Sequence, residues 1–182
     1  MALIRRTRLL RFAPIVCATI TVVMMTRAPG LAQNVTEPAL KAAFIYNFAR
    51  FTTWPDGWPA SDPFVICVVG DAVADAMDRV IKGRQLAGHL IAVSRATPTG
   101  PHRACHLLYM TGIPSSQAAQ MVAGLRDAPV LTISDIEGFT DGGGMAQLFF
   151  DRGQLQFSIR LDPVKRARLL LSSKLIILAK PL

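Results

Sequence analysis

The sequence predicts a single α/β domain, a mostly parallel central sheet flanked by helices, with an antiparallel hairpin at one edge. Three observations carry this reading. Residues 64–69 and 130–133 are short runs dominated by aliphatic and β-branched side chains, as expected of strands buried on both faces. Segments of helical spacing separate such runs, and strand–helix–strand order places parallel neighbours side by side with helices over the sheet. Residues 155–161 alternate instead: Leu155, Phe157, Ile159 and Leu161 share one face, with Gln156, Ser158 and Arg160 on the other. That is the period of a strand with one wet face.

The chain has 182 residues, and its first 32 read as an export signal. Arg5, Arg6, Arg8 and Arg11 precede an apolar run over 13–25, and Gly30-Leu31-Ala32 has the small-x-small form of a cleavage site. The run is shorter than the ~18–20 residues a membrane-spanning helix needs. Residues 1–32 are therefore expected to be a signal peptide, and 33–182 the periplasmic domain. Cys17 lies within the apolar run without small residues before it, so lipid attachment there is not expected.

Thr36 is an N-cap candidate for a helix from 38 to about 51, with Glu37 and Pro38 in its first turn. Leu40, Ala43, Phe44, Tyr46, Phe48 and Phe51 form its wide apolar face. The simplest reading packs this face on the sheet, with Trp54 closing its end; an exposed aromatic platform for a ligand is the alternative. Trp58, Pro59 and Pro63 make a connector to the strand at 64–69, which stops at Gly70-Asp71. Val73, Met77, Val80 and Ile81 lie on one side of the next helix, and Gly83 ends it. A strand over 89–95, a loop at 97–101 and a strand over 105–110 follow. Ser115 then caps a helix to about 126, with Ala118, Met121, Val122 and Leu125 inward.

After the strand at 130–133 comes Asp141-Gly142-Gly143-Gly144. A phosphate cradle needs a helix after the loop, and a Lys-Ser/Thr pair. Here a strand follows, so the glycines read as sites of positive φ or close backbone packing at a sheet corner. Residues 145–150 and 155–161 make the hairpin, with Gly153 in its turn. In the tail, Lys165, Arg166 and Arg168 mark a short charged helix, Leu169-Leu170-Leu171 follows, and Ser172 or Ser173 caps a last helix to Lys180. The tail is apolar nearly all round. It either packs against the hairpin or forms a surface for a partner.

Charge and chemistry narrow the function. Lys and Arg number 20 against 12 Asp and Glu, but five of the arginines precede residue 33. That leaves fifteen against twelve, a net of +3, without the concentrated basic face that nucleic acid requires. Cys67 and Cys105 are an even pair in an exported domain, hence a disulfide candidate. In a sheet of order 2-1-3 their strands are neighbours. A metal or nucleophile built on His102, Cys105 and His106 is disfavoured, because adjacent residues of a strand point to opposite faces. Asp71, Asp135 and Asp141 read as capping and turn residues. No catalytic group, metal site or cofactor is expected.

The residues resemble one family. Lys41-Ala42-Ala43-Phe44-Ile45-Tyr46-Asn47-Phe48-Ala49-Arg50-Phe51-Thr52-Thr53-Trp54-Pro55 looks like its opening signature. Phe64-Val65-Ile66-Cys67-Val68-Val69-Gly70-Asp71 looks like its first core strand. Val130-Leu131-Thr132-Ile133-Ser134-Asp135, with Phe139 and Gly143-Gly144-Met145, looks like its central motif. Phe157-Ser158-Ile159, and Leu171-Ser172-Ser173-Lys174-Leu175 with Leu178-Ala179, look like its ending. These are features of the YfiR family of exported proteins, and the resemblance covers nearly all of 36–182.

The resemblance implies a non-catalytic periplasmic regulator, often a homodimer. It would bind the periplasmic part of an inner-membrane diguanylate cyclase and repress it, lowering cyclic di-GMP and biofilm formation. An outer-membrane lipoprotein able to sequester the repressor is a further implied partner. Cys67 and Cys105 fit the family's main disulfide, while a second cysteine pair found in some members is absent between Phe139 and Gly153. The family's hydrophobic partner-binding region carries over to Leu170, Leu171, Leu175, Ile176 and Leu178. Two alternatives stand beside this reading. One is a small-ligand module in which Trp54, Phe139 and the glycine loop line a pocket. The other is a regulator of a different membrane sensor.

Overall fold

A computed structural model describes residues 35–55, 59 and 61–181; the expected signal peptide and Trp58 lie outside the described residues. The elements, in chain order, are α1 (Glu37–Arg50), β1 (Thr52–Thr53), β2 (Phe64–Val69), α2 (Asp71–Ile81), β3 (Gln85–Leu86), β4 (His89–Arg95) and β5 (Leu107–Met110). Then come α3 (Ser115–Gly124), β6 (Leu131–Ser134), β7 (Ala146–Asp151), β8 (Gln154–Ile159), α4 (Leu161–Arg166), β9 (Leu170–Leu171) and α5 (Ser173–Leu178). Among the described residues no helix is long and apolar enough to cross a membrane.

Seven strands form one sheet in the order β3-β4-β2-β5-β6-β7-β8. The interior pairs β2–β4, β2–β5, β5–β6 and β6–β7 are parallel, whereas β3 and β8 pair antiparallel at the two edges. The expected 2-1-3 arrangement is β4-β2-β5, and the hairpin is β7–β8. Arg152 and Gly153, at φ 50° and 78°, make its two-residue turn, the geometry that matches strand twist. β3 is too short to show a period in sequence, and it was not expected.

Strand alternation divides the core in two. Phe64, Ile66, Val68, Leu107, Tyr109, Leu131 and Ile133 face α1, α2 and the tail, in one apolar cluster. Cys67, Val69, Leu108, Met110 and Val130 face α3 and Phe139 in the other. Helices on both faces explain why these strands read as continuous apolar runs.

Several local expectations are corrected. The buried face of α1 is Ala42, Ile45, Tyr46, Phe48 and Ala49, a stripe at i, i+3, i+4 and i+7. Leu40, Ala43, Phe44 and Phe51 are only half-buried, although three of them are bulkier than the fully buried Ala42 and Ala49. Neither Thr36 nor Ser115 caps through its side chain: Thr36 makes no such bond, and Pro114 stands at the cap position before Ser115. Ser172 does cap α5, its Oγ accepting from the Lys174 N–H at 3.3 Å. β5 starts at Leu107 rather than Cys105, since the Cys105 N–H donates into a turn to the His102 carbonyl at 3.1 Å.

The wet face of β8 is wet only in part. Ser158 is buried where the last residues run alongside the strand: Lys180 forms a bridge to Ser158, and its N–H donates to the Phe157 carbonyl at 2.8 Å. This return covers a sheet edge that would otherwise offer unpaired backbone groups.

The glycine loop behaves as a packed corner. Gly143 has φ 96°, and a Cβ on Gly144 would lie 2.2 Å from the Phe139 ring. The loop carries the chain from β6 to its parallel neighbour β7 without a helix, and such a tight route needs backbone lying against a ring.

Candidate functional site

The tail residues separate into two sets. β9 pairs with β1, Thr52 opposite Leu171 and Thr53 opposite Leu170, and the Ser172 N–H donates to the Phe51 carbonyl at 2.8 Å. Alternation along this short pair turns Leu171 partly inward and leaves Leu170 69% exposed. In α5, Leu175 enters the core at 5% exposure. Ile176 is exposed, Ile177 is 80% exposed and Leu178 68%. Of the five tail residues read from sequence as partner-binding, Leu170, Ile176 and Leu178 thus offer apolar surface. Leu171 is half-buried, and Leu175 is buried as a core anchor. Ile177 was missed, although its place in an all-apolar run was the available signal. Leaving such side chains in water forgoes about 25 cal/mol per Å² of apolar area, and contiguous exposure of this kind marks a contact surface.

Beside α5 the surface opens into a cleft of about 530 Å³ between α1, β8 and α5. Phe44, Phe51, Leu155, Phe157 and Leu178 supply apolar wall. Phe44 and Phe48 both meet the Phe157 ring edge-on, at centroid distances of 6.2 and 5.0 Å. Arg50, Lys174 and Lys180 also line it.

The pocket expected from Trp54, Phe139 and the glycine loop does not form. Trp54 and Phe139 are buried in different clusters on opposite faces of the sheet. The Trp54 indole N–H donates to the His106 carbonyl at 3.0 Å, and its ring stands edge-on to Phe64. Gly142 and Gly143 border only a cavity of about 90 Å³.

The cysteines and histidines singled out in the sequence, with Asp135 and Asp141, have structural partners. Cys67 and Cys105 are disulfide-bonded. His102 Nε2 lies 2.8 Å from the Thr97 carbonyl oxygen, and His106 Nδ1 accepts the Val65 N–H at 3.0 Å while its ring stacks on Phe64. Burial, and then the charge of His89, lower the His106 pKa from 6.5. Asp141 pairs with Arg160 at 2.7 Å. Asp135, at the end of β6, accepts from Lys41 Nζ at 2.5 Å and from Thr111 Oγ1 at 2.9 Å, which ties α1 to the sheet. Burial, followed by the charge of Asp135, raises the nearby Tyr109 hydroxyl well above its usual range. Among the described residues no group of three or more His, Cys, Asp or Glu could hold a metal.

The model of the YfiR/HmsC-like family matches residues 38–180. A search of curated proteins finds no match.

Proposed function

Because the chain belongs to the YfiR/HmsC-like family, we propose that it is a periplasmic repressor that binds the periplasmic part of an inner-membrane diguanylate cyclase. Proteins of this family are regulatory rather than catalytic and act in cyclic di-GMP signalling. The observation that carries the reading is the uncovered apolar surface of the tail. Leu170, Ile176, Ile177 and Leu178 offer contact area, while Leu175 anchors α5 from below. Burying apolar area of this kind in an interface is favourable by about 25 cal/mol per Å². Repression follows if this surface binds the inactive cyclase more tightly than the active one, because a ligand shifts an equilibrium only by its differential affinity. Residues 1–32 would direct export, and an outer-membrane lipoprotein or a second copy of the chain could compete for the same surface.

The test is recovery of a membrane-bound cyclase on the oxidised protein from solubilised inner membranes, with cellular cyclic di-GMP as the readout. Leu170→Glu and Ile177→Glu should abolish recovery and raise cyclic di-GMP while leaving thermal unfolding unchanged. Capture of a sensor lacking a cyclase domain would retain the binding role and reject the cyclase. Full repression by the doubly substituted protein would reject the tail as its interface.

A further inference from the structure

The cleft between α1, β8 and α5 has a composition that the packing of the domain does not require. Its apolar wall is aromatic and open: Phe44 and Phe51 are half-buried, and Leu178 beside them is 68% exposed. All three charged residues that line it are cations, Arg50, Lys174 and Lys180, with no acid among the lining residues. Among the described residues none of the three pairs with a carboxylate, while Lys41, Arg95 and Arg160 all do. One cation is positioned through its side chain, and the backbone of another is fixed. The Arg50 guanidinium lies 5.8 Å from the centroids of both Tyr46 and Phe51, and the Lys180 backbone is fixed to Phe157.

We propose that this cleft binds a free, single-chain anionic amphiphile, an aliphatic carboxylate whose chain covers Phe44, Phe51, Phe157 and Leu178 and whose head meets Arg50, Lys174 and Lys180. A volume of about 530 Å³ falls within the ~300–1,000 Å³ typical of small-molecule sites. The apolar wall supplies the driving force through removal of half-exposed phenylalanine surface from water. The unpaired cations select the sign of the head group, since charge-assisted hydrogen bonds to a carboxylate are the stronger kind. The site stands on the cleft itself and does not depend on the repressor reading. It does share α5 with the exposed tail, so occupancy and partner contact would be felt through the same helix.

The experiment is calorimetric titration of the purified, oxidised protein with dodecanoate below its micelle concentration. Saturable binding at one site per chain is expected, with acetate and dodecylammonium weaker by about tenfold or more. Added salt should weaken the wild-type interaction. Lys174→Glu combined with Lys180→Glu should lower dodecanoate affinity by about tenfold or more. Both lysines are exposed, so cooperative thermal unfolding should persist and report that the fold is intact. Leu178→Asp should lower affinity similarly by placing an anion in the cleft. No saturable binding by folded protein, equal affinity for dodecylammonium, or binding only to phosphatidylglycerol vesicles would overturn the proposal. So would a dimer that Leu178→Asp dissociates and that excludes dodecanoate, because a second copy would then be the occupant.

Discussion

Cys105 bonds to Cys67 from a turn two residues ahead of β5, with the two Cα atoms 5.8 Å apart. The departure from the strand is what permits the bond. Cys67 pairs in register with Leu108, and the even-numbered residues of β5 share its face of the sheet. Had the strand continued back to 105, that side chain would have followed Leu107 and Tyr109 to the opposite face.

This bond closes a loop with a sequence separation of 38, so in the chain-entropy account it stabilises the fold by ~4 kcal/mol. The double substitution Cys67→Ser, Cys105→Ser should lower the unfolding free energy by about that amount. Urea titration of the oxidised protein and the variant measures it, and coincident midpoints would contradict the account.

Lys41 and Asp135 hold α1 to the end of β6, and both side chains are largely buried. Lys41→Met leaves the Asp135 carboxylate with Thr111 alone and should cost about 3 kcal/mol. Burial opposes the Lys41 charge, but its hydrogen bonds to Asp135 and Glu37, and their charges, outweigh this and raise the pKa above 10.5. The sign follows from linkage: the contribution is complete below 10.5 and is lost as pH rises through the higher folded value. Stability measured against pH should therefore fall in the alkaline range for the natural protein and stay flatter there for Lys41→Met.

His106 sets the acid limb. Its pKa is lowered from 6.5, by burial first and the charge of His89 second, and Nδ1 already accepts from the Val65 N–H. The folded state thus prefers the neutral ring. That contribution is present above 6.5 and is lost as pH falls through the lower folded value. Titration of the imidazole by NMR should show the lowered midpoint. His106→Asn should be less stable at neutral pH and lose less stability on acidification.

Gly144→Ala places a methyl 2.2 Å from the Phe139 ring, which is itself buried. Overpacking of this kind should cost about 2 kcal/mol. Phe139→Leu in the same chain should restore part of the loss, a non-additivity that a double-mutant cycle detects. Additive effects would show that the ring is not the obstacle.

The sheet was legible because β2 and β6 are apolar on both faces and β8 alternates, and those patterns follow from burial. The helices were legible by spacing, but the face of α1 was not, because Ala42 and Ala49 are fully buried while Phe44 and Phe51 stand half-open. β1, β3 and β9 are two-residue pairings, too short for any period to appear. They exist only because the rest of the fold brings their partners alongside.

By itself the sequence determined the layer architecture, the candidacy of Cys67 and Cys105 for a disulfide and the resemblance to one family, since hydrophobic period and motif spacing are local properties. Only the tertiary structure decided which tail side chains face water. Leu175, Ile176, Ile177 and Leu178 are equally apolar, and nothing in their order separates Leu175 from Ile177. The β1–β9 pairing and the return of Lys180 along β8 set the rotation of α5, so Leu175 enters the core while Ile177 and Leu178 remain outside beside the cleft.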